Sequence, residues 1–103
     1  MKYTIYQIKR PTSDSEREIY RKYAFTPLEW VDKIDITRYT EVWTDEIIDS
    51  ENVYEVLEHL FTEFNINRPE NFHGHSLSVS DIVEIDNKYY YCDSIGWVEI
   101  EFN

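Results

Sequence analysis

The hydrophobic pattern of residues 53–64 constrains the fold of this chain more than any other feature. Apolar side chains recur there at i, i+3, i+4, i+7, i+8 and i+11, the spacing of one helix face: Val53, Val56, Leu57, Leu60, Phe61 and Phe64. At about 100° per residue, three acidic residues fall on the opposite face: Glu51, Glu55 and Glu58. The pattern predicts an amphipathic helix that Asp49 or Ser50 caps and that Pro69 prevents from continuing.

The last third of the chain has the period of two that is typical of β-strands. Residues 81–85 and 88–92 are separated by Asp86 and Asn87, which tolerate the positive φ of a tight hairpin turn. Residues 97–102 then alternate, with Val98, Ile100 and Phe102 on one face. This region is predicted to be a three-stranded meander with one solvated side.

The first half of the chain supplies four further elements. Residues 3–8 are rich in β-branched and aromatic types and predict a strand, and residues 15–23 predict a helix preceded by cap-type oxygens at 12–14. Residues 26–31 predict a helical turn in which Leu28 and Val31 or Trp30 seal the core, and residues 38–46 predict a strand. The predicted fold is α+β with order β-α-β-α-β-β-β: one largely antiparallel sheet with two main helices packed on one face.

Length and composition favour one domain in a reducing compartment. The chain has 103 residues, 42 % of them hydrophobic and 17 % aromatic, and a single cysteine. One cysteine cannot form an internal disulfide. Because no segment has the roughly 20 apolar residues of a membrane helix, we expect a cytoplasmic protein, with residues 1–103 as one domain.

The formal net charge of −11 is unevenly distributed along the chain. Residues 1–40 carry a net charge of +2, residues 41–70 carry −8, and residues 71–103 carry −5. Nucleic acids and anionic membranes are bound by Lys and Arg, so this balance argues against both as direct partners. It permits a protein partner with a basic surface, although acidity also serves solubility alone.

The predicted acidic helix face is the sharpest candidate site. The row formed by Glu51, Glu55 and Glu58 is extended at the entry to the helix by Asp45, Glu46 and Asp49. Carboxylates in a row can imitate a phosphate backbone and occupy the basic groove of another protein. The alternative is a solvated helix face with no partner, which is the usual reason for such a stripe.

Histidine and cysteine offer little catalytic or metal-binding chemistry. His73 and His75 could place two imidazoles on one side of an extended segment, but His59 or a carboxylate would have to supply a third zinc ligand. Cys92 precedes Asp93, which favours the protonated thiol. We expect no cofactor and no metal, and keep an enzyme using His73, His75 and Cys92 as an alternative.

Residues 74–100 resemble the YodL-like domain family. The shared features are a Ser-rich entry, a strand, a Tyr-rich strand that ends in Asp-Ser, and a Gly-aromatic turn. Here they are Ser76–Asp81, Ile82–Ile85, Tyr89–Ser94 and Gly96–Trp97, with looser similarity at Tyr6–Lys9 and Leu28–Val31. The resemblance implies a small bacterial domain that is frequent on plasmids, conjugative elements and phages, with no established activity, cofactor or catalytic residue.

Together these features predict a non-enzymatic interaction domain encoded on a mobile element. Its expected partner is a host nucleic-acid-binding defence protein, such as a CRISPR effector or a restriction enzyme, which it would inhibit. The alternative within the same class is a cytoskeletal or cell-shape protein bound through exposed aromatics such as Trp97 or Tyr90. The sequence leaves the oligomeric state open.

Overall fold

The structure, a computed structural model, describes residues 1–47 and 52–102. Its strands are β1 (Lys2–Ile8), β2 (Tyr39–Glu46), β3 (Ile82–Ile85), β4 (Lys88–Asp93) and β5 (Gly96–Ile100). Its α-helices are α1 (Asp14–Tyr23) and α2 (Val53–Ile66), and two short 3₁₀ turns cover Leu28–Trp30 and Ile36–Arg38. The predicted order of strands and helices is confirmed.

The five strands form one sheet in the order β2-β1-β3-β4-β5, and every neighbouring pair is antiparallel. The predicted α+β class with an antiparallel sheet is therefore confirmed. β1 lies between β2 and β3, so the two halves of the chain meet through it. No helix in the described ranges is both long and apolar enough to cross a membrane.

One face of the sheet packs against α2. The apolar stripe of the helix meets strand side chains from β1, β3 and β4, and the buried members of this first core cluster are Tyr3, Ile5, Val56, Leu57, Leu60, Phe64, Leu77, Val83, Ile85 and Tyr90. Phe61, at the margin of the predicted stripe, is 36 % exposed. The period of 3.6 in the sequence thus places the centre of the α2 interface correctly.

The opposite face of the sheet carries a second core cluster, formed by Ile8, Tyr23, Tyr39, Ile82 and Tyr91. Neighbouring strand residues such as Ile82 and Val83 belong to different clusters because successive side chains alternate between faces. Tyr23 is the last residue of α1, so this helix contributes to the face that α2 does not cover. The expected packing of both helices on a single face is corrected in this respect, and the reason is that the sheet is apolar on both sides.

Helix caps and turns follow the local sequence closely. Ser13 caps α1 and accepts a hydrogen bond from the Glu16 amide, as the cap-type oxygens at 12–14 predict. Asn52 caps α2 by accepting from the Tyr54 amide. The predicted caps Asp49 and Ser50 lie outside the described residues, and since the helix begins at Val53 neither occupies its N-cap position.

The turns confirm the predicted hairpin and correct one expectation. Asp86 and Asn87 have φ values of 52° and 64°, the left-handed conformation that a two-residue turn requires. In the segment after α1, Leu28 and Val31 are half-buried against the second core cluster. Trp30 is 75 % exposed and does not seal the core.

Truncating Leu60 to alanine should lower the free energy of unfolding by about 2–5 kcal/mol, because a fully buried leucine leaves a cavity. Urea denaturation followed by circular dichroism measures the change. Ile66→Ala is the matched control: this residue of the same helix is 82 % exposed, so the expected change is about 0.5 kcal/mol or less. Equal effects of the two substitutions would contradict the packing of α2.

Candidate functional site

Two of the predicted acidic residues lie on the solvent side of α2. Glu55 and Glu58 are exposed, three residues apart on the N-terminal half of the helix. His59, the residue after Glu58, is also exposed, and its Nε2 lies 3.6 Å from Oε2 of Glu63 one turn further along the helix. The described part of the predicted row is therefore an accessible negative surface.

The position of this surface follows from the direction in which α2 crosses the sheet. The N-terminal half lies over β4, since the ring of Tyr54 lies 5.8 Å from that of Tyr90. The C-terminal half lies over β1 and β2, since Phe64 packs against Tyr3 and Trp43. Glu55 and Glu58 consequently lie on the side of the molecule where β4 and β5 run.

Asp45 and Glu46, by contrast, lie at the other edge of the sheet. Both are exposed, and they pair with Tyr3 and Lys2 at the end of β2. β2 and β5 are separated by four interstrand steps, about 19 Å at about 4.8 Å per step. The structure thus places the described members of the predicted set in two groups. Asp49 and Glu51 lie outside the described residues.

A further carboxylate joins the helix acids and was not predicted as a site residue. Glu99 on β5 pairs with Tyr90; burial raises the pKa of that tyrosine most, and the negative charge of Glu99 raises it further. Burial and the charge of Asp81 raise the pKa of Cys92, and the charge of Glu58 raises it further. Cys92 lies two residues beyond Tyr90 on β4 and on the same face of the sheet. We call the exposed set Glu55, Glu58 and Glu99 the α2–β5 acidic surface. Only the strand order and the helix direction reveal it, since Glu58 and Glu99 are far apart in sequence.

Exposed aromatic side chains border this surface. Tyr54 and Phe61 are 45 % and 36 % exposed, and both lie on the flank of α2 that contains Glu58. The two aromatics that were expected to be exposed lie elsewhere: Tyr90 is buried at 3 % exposure, and Trp97 is half-buried against the first core cluster. Tyr90 is buried because its side chain lies on the face of the sheet that α2 covers.

A second candidate site is built around a buried carboxyl group. Asp81 has no solvent exposure, and its Oδ2 accepts hydrogen bonds from the Ser78 amide at 2.8 Å and from Gln7 Nε2 at 3.1 Å. Its Oδ1 has no hydrogen-bond partner and lies 3.8 Å from His75 Nε2. Gln7 also donates to the His75 carbonyl at 2.9 Å. The sequence marks Asp81 only as the first residue of the predicted strand 81–85, and it does not single out Gln7.

The hydrogen bonds around His75 define where its proton lies. Nδ1 is 2.7 Å from the Ser76 carbonyl oxygen, which can only accept, so Nδ1 carries the proton. Nε2 of the neutral ring then presents its lone pair toward Asp81. Burial lowers the pKa of His75 and raises that of Asp81 well above its usual value, although the Ser78 amide and Gln7 act against the latter shift. Burial therefore favours the neutral form of each group, and Oδ1 of Asp81 lies toward the imidazole.

Beside this pair is a cavity of about 390 Å³, whose lining includes Gln7, Arg10, Tyr20, His73 and His75. Burial lowers the pKa of His75 most, and the positive charge of Arg10 lowers it further. His73 is exposed on the same segment. The residues of this cavity combine hydrogen-bond donors with one aromatic hydroxyl, and Asp81 is not part of its lining.

Of the residues considered for catalysis or metal binding, His73 and His75 line the same cavity, and Cys92 lies near Asp81. Burial raises the pKa of Cys92 to about 12, with Asp81 adding to the shift, so the thiol is a poor nucleophile at neutral pH. Asp93 Oδ1 accepts from the amides of Leu28 and Ser94 and serves a turn. Among the residues that the structure describes, no three His, Cys, Asp or Glu side chains are grouped so as to hold a metal ion.

Replacing Asp81 tests whether its carboxyl group is protonated in the folded protein. The native-state pKa lies above the unfolded value of about 3.9, so the stability that Asp81 contributes is full below that pH and is lost as pH rises toward the native pKa. Asp81→Asn keeps the acceptor for Ser78 and Gln7 and cannot ionise. We expect its free energy of unfolding to match the wild type near pH 4 and to exceed it by about 1 kcal/mol or more at pH 7–8.

Asp81→Ala is the comparison variant, measured by urea denaturation over the same pH range. It leaves the Ser78 amide and Gln7 Nε2 without their acceptor, which should cost about 1–3 kcal/mol. A wild-type stability that rises from pH 4 to pH 7 relative to Asp81→Asn would show that the carboxylate, not the acid, is buried.

Comparisons with known proteins give one positive result. The chain matches neither a curated protein nor a solved structure. The family model described as the YodL-like domain matches residues 2–102, essentially the whole chain. This span includes every strand and both helices of the sheet described above. The match confirms the resemblance seen in the C-terminal residues, and the chain belongs to the YodL-like domain family.

Proposed function

We propose that this chain is a protein-binding domain without catalytic activity, and that its α2–β5 acidic surface binds the basic surface of a host protein. The observation that carries the proposal is the placement of Glu55, Glu58 and Glu99 together in an exposed position beside Tyr54 and Phe61. Carboxylates alone are common on soluble domains. Accessible aromatic rings are enriched at protein interfaces, and carboxylates beside them favour a partner with a basic surface.

The charge of the chain supports a basic partner in particular. A net charge of −11 on 103 residues creates a field that attracts positive surfaces and speeds their encounter. Once the surfaces meet, Tyr54 and Phe61 provide apolar area at the centre of the contact. Electrostatic attraction therefore sets the rate of association and the aromatic contacts slow the dissociation.

The most specific form of the proposal is an inhibitor of a nucleic-acid-binding defence protein. Glu55 and Glu58 are spaced by about 4.5 Å along the helix axis, so their carboxylates can occupy neighbouring phosphate positions in a basic groove. Asp45 and Glu46 at the opposite edge of the sheet provide a second negative group for the same groove. The family resemblance to domains carried on plasmids, conjugative elements and phages supports a target in the host's defence.

A second candidate is an apolar interface with a cytoskeletal or cell-shape protein. Trp30 favours it, because this large ring is 75 % exposed and belongs to neither core cluster. Such an interface would depend little on salt, since screening acts on charges. The two candidates therefore differ in how strongly salt weakens binding of the partner.

Capture of partners from bacterial lysate at low and at high salt, with identification by mass spectrometry, separates them. For the acidic surface we expect a protein with a nucleic-acid-binding groove that is released at high salt. A partner that is retained at high salt and lost on Trp30→Ala would instead assign the interface to the tryptophan. If a captured nucleic-acid-binding protein still binds with unchanged affinity after Glu55 and Glu58 are substituted, the proposed imitation of a phosphate backbone is wrong.

Charge reversal tests the surface directly. Glu55→Lys combined with Glu58→Lys should weaken binding of the captured partner by about tenfold or more, because close charge pairs at an interface contribute roughly 1.5 kcal/mol or more. Isothermal titration calorimetry measures the loss. Asp45→Lys with Glu46→Lys, made separately, shows whether the opposite edge takes part.

The matched control is Asp14→Lys with Glu18→Lys on α1. It changes the net charge by the same amount, and its exposed ion pairs with Arg17 and Arg21 contribute little to stability. This variant should lose only the general attraction, a few-fold in affinity. Equal losses in the α1 and α2 variants would show that net charge, and not a defined surface, holds the partner.

A further inference from the structure

β5 is an open edge of the sheet with a regular backbone. It is the last strand in the order β2-β1-β3-β4-β5, and its pairing with β4 runs without a shift from Asp93 opposite Gly96 to Tyr89 opposite Ile100. The other edge, β2, has a register shift opposite Ile5 and Tyr6. Such a shift disturbs the ladder and protects an edge from further pairing. β5 lacks this protection.

The backbone groups of β5 that face outward can be identified. Cys92 donates its amide to the Asp81 carbonyl and accepts from the Ser80 amide, so both of its backbone groups face β3. Trp97, which lies opposite Cys92, is therefore not hydrogen-bonded to it. Because antiparallel ladders alternate, Val98 and Ile100 bond to β4, whereas Trp97 and Glu99 direct their N–H and C=O groups away from the sheet. In the described ranges no strand lies there to receive them.

The side chains beside this edge differ on the two faces. On the face of α2 lie Glu99 and, across from it, Glu58, with Tyr54 and Phe61 exposed nearby. On the other face lie Val98, 38 % exposed, and Ile100, which packs against the second core cluster. A strand added to β5 would therefore meet acids on one side and apolar side chains on the other.

Charge decides which kind of strand fits. A second copy of this chain would bring its own Glu99 and Glu101 to the same edge, and like charges on paired strands are destabilising. A basic segment gains attraction from the same carboxylates. Its Lys or Arg side chains must occur at every second residue, since only alternate side chains reach the α2 face.

We propose that the outer edge of β5 receives an extended segment of the partner as a sixth strand, with basic residues facing Glu58 and Glu99 and apolar residues facing Val98 and Ile100. The inference rests on the proposed function and specifies how the partner is held. Backbone hydrogen bonds from Trp97 and Glu99 supply the pairing, and the alternating side chains supply the selectivity.

The test uses synthetic ten-residue peptides in which Lys and Val alternate, titrated into the intact chain and followed by fluorescence anisotropy. Two further peptides are N-methylated at every second residue, one on each edge of the extended chain, so that each keeps its charge but loses the N–H groups of one edge. We expect the peptide methylated on the edge that pairs with β5 to bind at least tenfold more weakly than the unmodified peptide. A peptide with Glu in place of Lys should not bind. Equal affinity of the methylated peptides, whichever edge is blocked, would overturn the proposal.

Two substitutions at one position separate the backbone from the charge. Glu99→Gln removes the charge and keeps the outward N–H, whereas Glu99→Pro removes both and leaves the bonds of Val98 and Ile100 to β4 in place. We expect a loss of a few-fold for Glu99→Gln and of at least tenfold more for Glu99→Pro, with unchanged circular dichroism. Equal losses of peptide affinity in the two variants would overturn strand addition. A dimer of the chain without peptide that sediments as a monomer after Glu99→Pro would also overturn it, because a second copy would then occupy β5. If Glu99→Pro does not fold, the methylated peptides decide alone.

Failure here is distinct from failure of the proposed function. If the methylated and unmodified basic peptides bind alike and both are lost on Glu55→Lys with Glu58→Lys, the acidic surface stands and strand addition is wrong. If no basic peptide binds and the captured partner ignores the α2 reversals, both proposals are wrong.

Discussion

The pairing of β1 with β3 joins the first residues of the chain to its last third, and the remaining structure depends on it. Tyr3 and Ile5 pair with Ile85 and Val83, and these four side chains form the floor on which α2 packs. On the reverse face, Ile8 and Ile82 begin the second core cluster. Gln7 continues the connection by reaching Asp81 and the segment around His75. A single strand in the middle of the sheet thus organises both layers of the core.

The elements that depend on neighbouring residues were readable from the sequence. The period of 3.6 in α2 and the Asp86–Asn87 turn each lie within one short stretch, so local patterning predicts them. The distribution of the helices over the two faces was not readable, because the apolar residues of β3 and β4 fill both faces and do not indicate which helix covers which. Tyr90 was misassigned for the same reason: in a sheet covered on both sides, alternation no longer separates buried from exposed residues.

The candidate site depends on longer-range geometry and was only partly predictable. Glu55 and Glu58 follow from the helix period alone, but the strand order separates them from Asp45 and Glu46 and brings Glu99 toward them. Asp81 is a similar case. In sequence it is one more acid at the start of a strand, and only its burial beside His75 and Gln7 raises its pKa.

The central position of β1 also determines when the chain can complete its fold during synthesis. β1 and β2 can pair once residues near 46 have emerged, but the partner of β1 on its other side is β3, at Ile82–Ile85. At roughly 5–20 residues per second, the ribosome needs on the order of several seconds to add the intervening residues. Throughout that interval Tyr3, Ile5 and the apolar stripe of α2 lack most of their core. The nascent chain therefore exposes apolar strand and helix surface until the last third is made.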